Sequence, residues 1–389
     1  MRNILFVYNN TLDGSYGGSQ RTKQAIDGLN LLSTIQGGGQ MNSTLFVYNN
    51  PLDGSYGGSQ GTKKVLSGLM ENCKIIPFSC IKKANKFSTL WRNLCGYSGN
   101  LSYSDCKRII SLLKNEDIDI VYFDVSIHGC LVKKIKQKFP NKKIIVNYHN
   151  CEAQYFGDMY KKKGLLYYPI FRSAVKNELL SKKYADFHVF ITTEDRLQLG
   201  VEKDYCIIPV TLNDQYTKDV SQPCTEPYLL FVGAAQFANI EGAKFIIEKI
   251  APFIERKILI VGKGMKSAFP GKYKNIEIYD YAPSLSDIYK NASAFISPLF
   301  SGSGAKVKVA EALMYGKKII GTPLTFFGYE MKDAEYSICE TPEEYVAAIN
   351  RLDMNKCFYE KNRILFLSKY DSKNNKNYYK QIFKSLGEI

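Results

Sequence analysis

The stretch Ser301-Gly302-Ser303-Gly304-Ala305-Lys306-Val307-Lys308-Val309-Ala310-Glu311-Ala312-Leu313, followed by Gly316 and then Ile319-Ile320-Gly321-Thr322-Pro323, reads as a glycine-rich loop, a short helix, a tight turn and a buried strand. Gly302 and Gly304 lack a Cβ, so the backbone there can approach an anion and present N–H groups to it. A helix expected over 304–315 would aim its positive end at the same spot. Ala305, Val309, Ala312 and Leu313 follow the i, i+4, i+7, i+8 spacing of a buried stripe. Gly304, Lys308, Glu311 and Tyr315 fall on a second face, where Lys308 and Glu311 are neighbours three residues apart. Lys308 offers a cation to a phosphate, and Glu311 offers acceptors to two vicinal hydroxyls. Taken alone, these residues also fit a solvated ion pair beside an ordinary loop, so the surrounding chain has to decide between the two.

Around this unit, strand-like runs at 228–232, 257–261, 276–278, 294–297, 318–321 and 336–338 alternate with helical stretches at 241–250, 285–291, 304–315, 343–352 and 356–367. A closing helix is expected at 375–386. Upstream, strand-like runs at 44–48, 74–78, 119–123, 143–148, 187–191 and 205–208 alternate with helices, clearest at 103–113 and 164–183. Short apolar strands alternating with helices predict parallel sheets covered on both faces. The loose segment 213–227, with Pro223 and Pro227, reads as a linker. The expected fold is α/β, with two tandem Rossmann-like doubly wound domains, 42–212 and 228–370, facing across a cleft. Residues 371–389 would form a closing helix that could pack back on the first domain. A cleft between the carboxyl ends of two such sheets is a common place for a large substrate.

The start of the chain is duplicated. Residues 5–29 align with 45–69, and 19 of 25 positions are identical. One sheet has room for one first strand. The second copy runs directly into the next strand, so it is read as the working β-loop-α unit, and 1–41 as an appendage. The swap, with the first copy in the fold, is the alternative.

Composition narrows the function classes. The chain has 389 residues and is 45% hydrophobic, enough for two cores and against global disorder. No apolar run reaches the ~18 residues of a membrane span. The first residues turn polar too early for a signal peptide. Ten cysteines without a C-x-x-C pair read as reduced thiols, hence a cytoplasmic expectation. The net charge is +15 and uneven. Residues 1–200 hold 27 Lys and Arg against 15 acids, and 201–389 hold 25 against 22. The basic half suits an anionic membrane or a phosphorylated acceptor. No aromatic stacking motif accompanies the lysines, so nucleic acid is the weakest partner class.

The order Phe231-Val232-Gly233, Asn239-Ile240-Glu241-Gly242-Ala243-Lys244-Phe245, Ile260-Val261-Gly262-Lys263-Gly264 and 301–323 with Gly328 resembles the C-terminal domain of a GT-B glycosyltransferase, closest to the large retaining family 4, or group 1. Gly57-Gly58 and Tyr148-His149-Asn150-Cys151-Glu152 carry a weaker resemblance in the first half. The resemblance implies a nucleotide-sugar donor, UDP- or GDP-linked, held mostly by the second domain. It implies a glycan or lipid-linked acceptor held by the first, and neither metal nor other cofactor. Gly233, Lys263, Gly302, Ser303, Gly304 and Lys306 would line the donor. Many family members have two glutamates separated by seven residues; Glu311 matches the second, and Ser303 stands where the first would be. His149, at the carboxyl end of a strand, would touch donor sugar or acceptor, or else be a structural histidine. Glu152 would orient the acceptor or cap the following helix. Gly57-Gly58 would let the first helix approach the diphosphate, or make a plain turn. His128 and His188 are expected to be structural. Other functions on the same architecture are a nucleotide-sugar epimerase and an inactive sugar-nucleotide binder whose cleft or first strand the duplication disturbs.

Overall fold

In a computed structural model of the chain, the described residues are 43–48, 64–67, 69–70, 74–79, 86–97, 101–217, 226–282, 284–302 and 304–386. The expected appendage 1–41 and the candidate residues Gly57, Gly58 and Ser303 lie outside them. The chain divides into two compact units. One runs to Ile208 and takes back Asn375 onward; the other is Pro209–Asn374.

The first unit contains β1 (Ser43–Tyr48), β2 (Lys74–Ser79), β3 (Ile120–Phe123), β4 (Lys143–Tyr148), β5 (Phe187–Phe190) and β6 (Tyr205–Ile207). They form one six-stranded sheet in the order β2-β1-β3-β4-β5-β6, with every neighbouring pair parallel. Alternation along each strand feeds two cores. Leu45, Val47, Val121 and Phe123 pack on one side of the sheet. Phe46, Tyr48, Ile120 and Tyr122 pack on the other. Side chains two apart share a face, so a strand buried on both faces must be apolar at almost every position. Strand β1 comes from the second copy of the duplicated segment and fills the place between β2 and β3.

The second unit repeats the design with β7 (Tyr228–Val232), β8 (Ile258–Val261), β9 (Ile276–Tyr279), β10 (Ala292–Ser297), β11 (Lys318–Gly321) and β12 (Tyr336–Ile338). The order is β12-β11-β10-β7-β8-β9, again parallel throughout. Leu229, Phe231, Ile258 and Ile260 face one core, while Leu230, Leu259 and Val261 face the other. In each unit the strand order reverses beside the first strand, at β1/β3 and at β7/β10. Such switch points leave a crevice outside the carboxyl ends of the strands, because the two flanking connections leave in opposite directions.

Two boundaries differ from the sequence pattern, the start of the second unit and the start of its Val307–Met314 helix, while the closing helix lies where it was expected. The second unit begins at Pro209, ahead of the loose stretch. Val210, Leu212 and Tyr216 pack against its core, and Arg363 grips Asp214 (Nη1 to Oδ1, 2.8 Å). The closing helix, Asn375–Ser385, belongs to the first unit, where Tyr379 and Ile382 are buried beside Phe46 and Tyr122. The helix expected over 304–315 is shorter, Val307–Met314. Its end is a Schellman turn: Gly316, at φ +61°, donates to Leu313 O (3.0 Å) and Lys317 N–H donates to Ala312 O (2.9 Å).

Candidate functional site

Each unit carries a polar cluster at the carboxyl ends of its strands, and the two are described separately. In the second unit, β7 ends at Val232 and the chain turns through Gly233 into the helix Phe237–Phe245. This turn lies against the turn after β8. A Cβ on Gly262 would stand 1.8 Å from Gly233 O, and Ala235 N–H donates to Lys263 O at 2.8 Å. Only residues without side chains allow two backbones this close. A Cβ on Gly233 would meet the Asn239 side chain at 2.7 Å. Asn239 is thus held over the turn, its amide donating to Ala234 O (2.8 Å) and its Oδ1 accepting from Lys308 Nζ (2.6 Å).

Lys308 reaches this point from the first turn of the Val307–Met314 helix, whose opposite face is driven into the core by Val309, Ala310 and Leu313, all fully buried. The ammonium also lies 5.2 Å from the centre of the Phe231 ring. Burial lowers its pKa to about 8, against the raising effect of Glu311 and together with the repulsion of Lys306. Glu311, one turn on, accepts from the Tyr289 hydroxyl at 3.2 Å. Burial and the Glu311 charge push the Tyr289 phenol well above its usual range, so it stays a donor. Tyr289 is itself stacked on Tyr315 at 5.2 Å, which fixes the hydroxyl's direction.

The glycine loop before this helix is not helical. Gly302 and Gly304 adopt φ of +111° and +69°, where L side chains are strained. A Cβ on Gly302 would meet nothing within 4 Å, so its constraint is conformational, not one of space. The loop is tied down by Ser301 Oγ donating to Glu241 (2.9 Å). The Lys306 Nζ donates to Gly304 O at 2.6 Å, within the same loop. Lys263 is exposed on the turn beside Gly233. The helix begins at Val307, three residues later than the spacing suggests, and Gly304, Ala305 and Lys306 precede it outside any helix.

In the first unit, the partner of His149 is a residue the sequence did not single out. Asp124, fully buried after β3, accepts from His149 Nε2 at 3.0 Å and from Asn147 Nδ2 at 3.2 Å. Burial alone would lower the His149 pKa, but the Asp124 charge and hydrogen bond, with Glu152, raise it on balance. The imidazole is held toward its charged form, with its side chain 15% exposed. Glu152 opens the helix Glu152–Lys163 and does not cap it. Glu178, from the helix Tyr168–Tyr184, does so, accepting from the N–H groups of Glu152 and Ala153 (3.0 Å each) and from Ser126 Oγ (2.9 Å). A carboxylate there satisfies orphan donors at the helix start. Burial and the neighbouring Glu178 push the Glu152 carboxyl up to about 7, with His149 opposing. His128 and His188 are buried, and burial brings both down to about 4. His188 shares a hydrogen bond with Tyr148 OH (3.1 Å).

Two residues thus escaped the sequence reading, Asp124 and Asn239. Asp124 stands immediately after an apolar strand run, the same position that marked His149 after β4. Asn239 lay inside a quoted motif but had no partner until the fold supplied Lys308.

Residues 226–355 match the family model described as glycosyl transferases group 1. No curated protein sequence matches the chain significantly. Among solved structures, the chain is similar to a glycosyltransferase from Rickettsia africae ESF-5, with 15% identity, TM-score 0.59, and 89% of this chain and 100% of that one covered. It is similar to the lipopolysaccharide outer core galactosyltransferase WaaB, with 16% identity, TM-score 0.60, and 88% and 99% covered. It is also similar to Anabaena HepE in complex with UDP-glucose, with 10% identity, TM-score 0.61, and 90% and 100% covered. At such identities the structures speak for the fold, and the family match speaks for the second unit. The chain thus has the two Rossmann-like units of the GT-B fold, and its segment 226–355, which is similar to the glycosyl transferases group 1, encloses both Gly233 and the Lys308–Glu311 pair.

Proposed function

We propose that the protein transfers a hexose from a UDP- or GDP-sugar to a glycan or lipid-linked acceptor, with retention of anomeric configuration and without a metal. In such a transfer the anomeric C–O bond to the diphosphate breaks and a bond to the acceptor oxygen forms. The nucleoside diphosphate leaves, and the acceptor hydroxyl loses its proton. Charge builds on the departing phosphate, so preorganised cations and N–H dipoles at that point lower the barrier. The observation that carries the reading is the pair Lys308 and Glu311, one turn apart at the β7/β10 switch point, each oriented by a neutral partner, Asn239 and Tyr289.

In this reading Lys308 meets the diphosphate, while Gly302, Ser303 and Gly304 supply approach and N–H groups. Glu311 holds the ribose hydroxyls, and Gly233 and Lys263 flank the donor. Gly57 and Gly58 would serve the donor from the first unit. His149, held toward its charged form by Asp124, addresses the donor sugar or the acceptor, and Glu152 stands on the acceptor side. HepE, similar in fold, was crystallised with UDP-glucose, which is consistent with a uridine donor here.

The test is turnover of UDP- and GDP-sugars with Lys308→Ala and Glu311→Ala. Each should fall about 100-fold if each group supplies a few kcal/mol to the transition state. Wild-type rates in both variants would end the assignment. An altered sugar released without any acceptor would indicate an epimerase instead.

A further inference from the structure

The first unit carries an apolar face turned outward. On the helix Lys86–Leu94, Phe87, Leu90, Trp91 and Leu94 are 80, 39, 65 and 63% exposed. Their spacing, i, i+3, i+4, i+7, is that of a core-facing stripe, yet here the stripe faces solvent. This helix packs beside the helix Tyr168–Tyr184: a Cβ on Gly96, just past its end, would touch Lys176 Nζ. Along the second helix runs a groove of about 520 Å³ lined by Tyr168, Phe171, Val175 and Leu179 among arginine and lysine stems. At its start the sequence Lys161-Lys162-Lys163-Gly164-Leu165-Leu166 is exposed at every residue, with the two leucines at 80 and 85%.

Charge accompanies the apolar surface. Residues 161–183 contain seven lysines and arginines and one acid, Glu178, which is buried as a helix cap. Large exposed apolar patches mark interaction surfaces. The combination of aromatic and leucine side chains with flanking lysines suits one medium in particular. At a lipid interface the apolar groups reach the acyl boundary, the aromatic rings lie at headgroup level and the ammonium groups meet anionic headgroups. A nucleic acid would use the lysines but leave Phe87, Leu165 and Leu166 in water.

We propose that this face, built from the Lys86–Leu94 helix, the 161–168 corner and the outer stripe of the Tyr168–Tyr184 helix, docks the protein on an anionic bilayer. The proposal rests on, and deepens, the lipid-linked-acceptor reading. A protein held here would meet an acceptor already embedded in the same surface. Its test is independent of transfer, because vesicle binding requires no donor.

The chain contains a single tryptophan, Trp91, so its fluorescence reports this face alone. The full chain is mixed with vesicles of phosphatidylcholine, with and without 30% (roughly) phosphatidylglycerol. The expected result is sedimentation with the anionic vesicles only, weakened by salt, and a blue shift of Trp91 emission on binding. Leu165→Ser with Leu166→Ser should weaken partitioning at least ~10-fold, since two exposed leucines leave the acyl boundary. Lys161→Gln with Lys162→Gln and Lys163→Gln should weaken it roughly 100-fold at low salt, about fivefold per lysine. All five side chains are exposed, so the variants should keep wild-type melting temperatures, and these are measured alongside. No binding to either vesicle, or binding without a Trp91 shift, overturns the proposal. So does a concentration-dependent dimer abolished by the leucine variants, which would make a second copy the occupant. A failure here leaves nucleotide-sugar binding as measured, and a failure there leaves vesicle binding as measured.

Discussion

Replacing Lys308 by methionine should make the unliganded protein more stable and at the same time remove donor binding. The ordinary lysine pKa is ~10.4, and each pKa unit is worth about 1.4 kcal/mol. Burial brings Lys308 to about 8. At pH 7 the folded state therefore holds the charged form at a cost of roughly 3 kcal/mol, which partial solvent access reduces to about 2. The methionine gives up the hydrogen bond to Asn239 Oδ1 and the contact with the Phe231 ring, together worth about 1 kcal/mol. The net expectation is a variant about 1 kcal/mol more stable at pH 7. The sign of the pH dependence follows from proton counting. Between pH 8 and ~10.4 the unfolded chain keeps its proton while the folded chain has lost it. Stability rises with pH wherever the unfolded state binds more protons, so wild type gains over this window and the variant does not. The gap should close by about pH 9.5. Urea unfolding of both proteins at pH 7 and 9.5, with titration of UDP- and GDP-sugars at pH 7, measures both halves. A Lys308→Met protein that is less stable than wild type at pH 7, or a gap unchanged with pH, would refute the electrostatic account. A functional side chain held at a cost to stability is a familiar signature of a binding site.

Three further outcomes follow from the same geometry. Asp124→Asn removes the charge that raises the His149 pKa, so that pKa measured by NMR titration should fall, and turnover should drop ~10- to 100-fold if the imidazole acts on substrate; an unmoved pKa would break the link. Glu152, raised to about 7 by burial and Glu178, binds a proton in the folded state that the unfolded chain releases above ~4.3. Stability should therefore fall as pH rises from ~4.3 to about 7, and Glu152→Gln should gain about 1–2 kcal/mol at pH 8 while gaining nothing at pH 4, as read by chemical denaturation. Gly262→Ala would set a Cβ 1.8 Å from Gly233 O and should cost about 3 kcal/mol or more in the same assay.

Much of the architecture was legible because it depends on short-range patterns. The runs at 143–148, 228–232, 318–321 and 336–338 coincide with β4, β7, β11 and β12 residue for residue. The first three are largely apolar stretches closed by a turn or polar signal, which is what a covered parallel strand needs, while the last is a short, partly exposed edge strand. The loop-helix-turn unit around Lys308 and Glu311 was visible for the same reason, since glycine φ and helical spacing are local properties. The start of that helix was misplaced because Gly304 and Lys306 form a braced loop, a matter of one lysine folding back onto a carbonyl. The cap of the helix after His149 was assigned to Glu152 as one option, yet Glu178 holds it from another helix.

Spacing along the chain was enough to give the two α/β units, the place of the glycine loop, and a lysine and a glutamate on neighbouring turns of one helix. Long-range contacts set the partners of the polar residues: Asp124 orients His149 and Asn239 receives Lys308, 25 and 69 residues apart in sequence. The same contacts set how burial displaces the pKa values of Lys308 and Glu152, and leave an apolar stripe at 87–94 facing outward. Periodicity tells which residues share a face of a helix. What that face meets depends on contacts between distant segments and on the water they exclude, and those come into being only when the chain has folded.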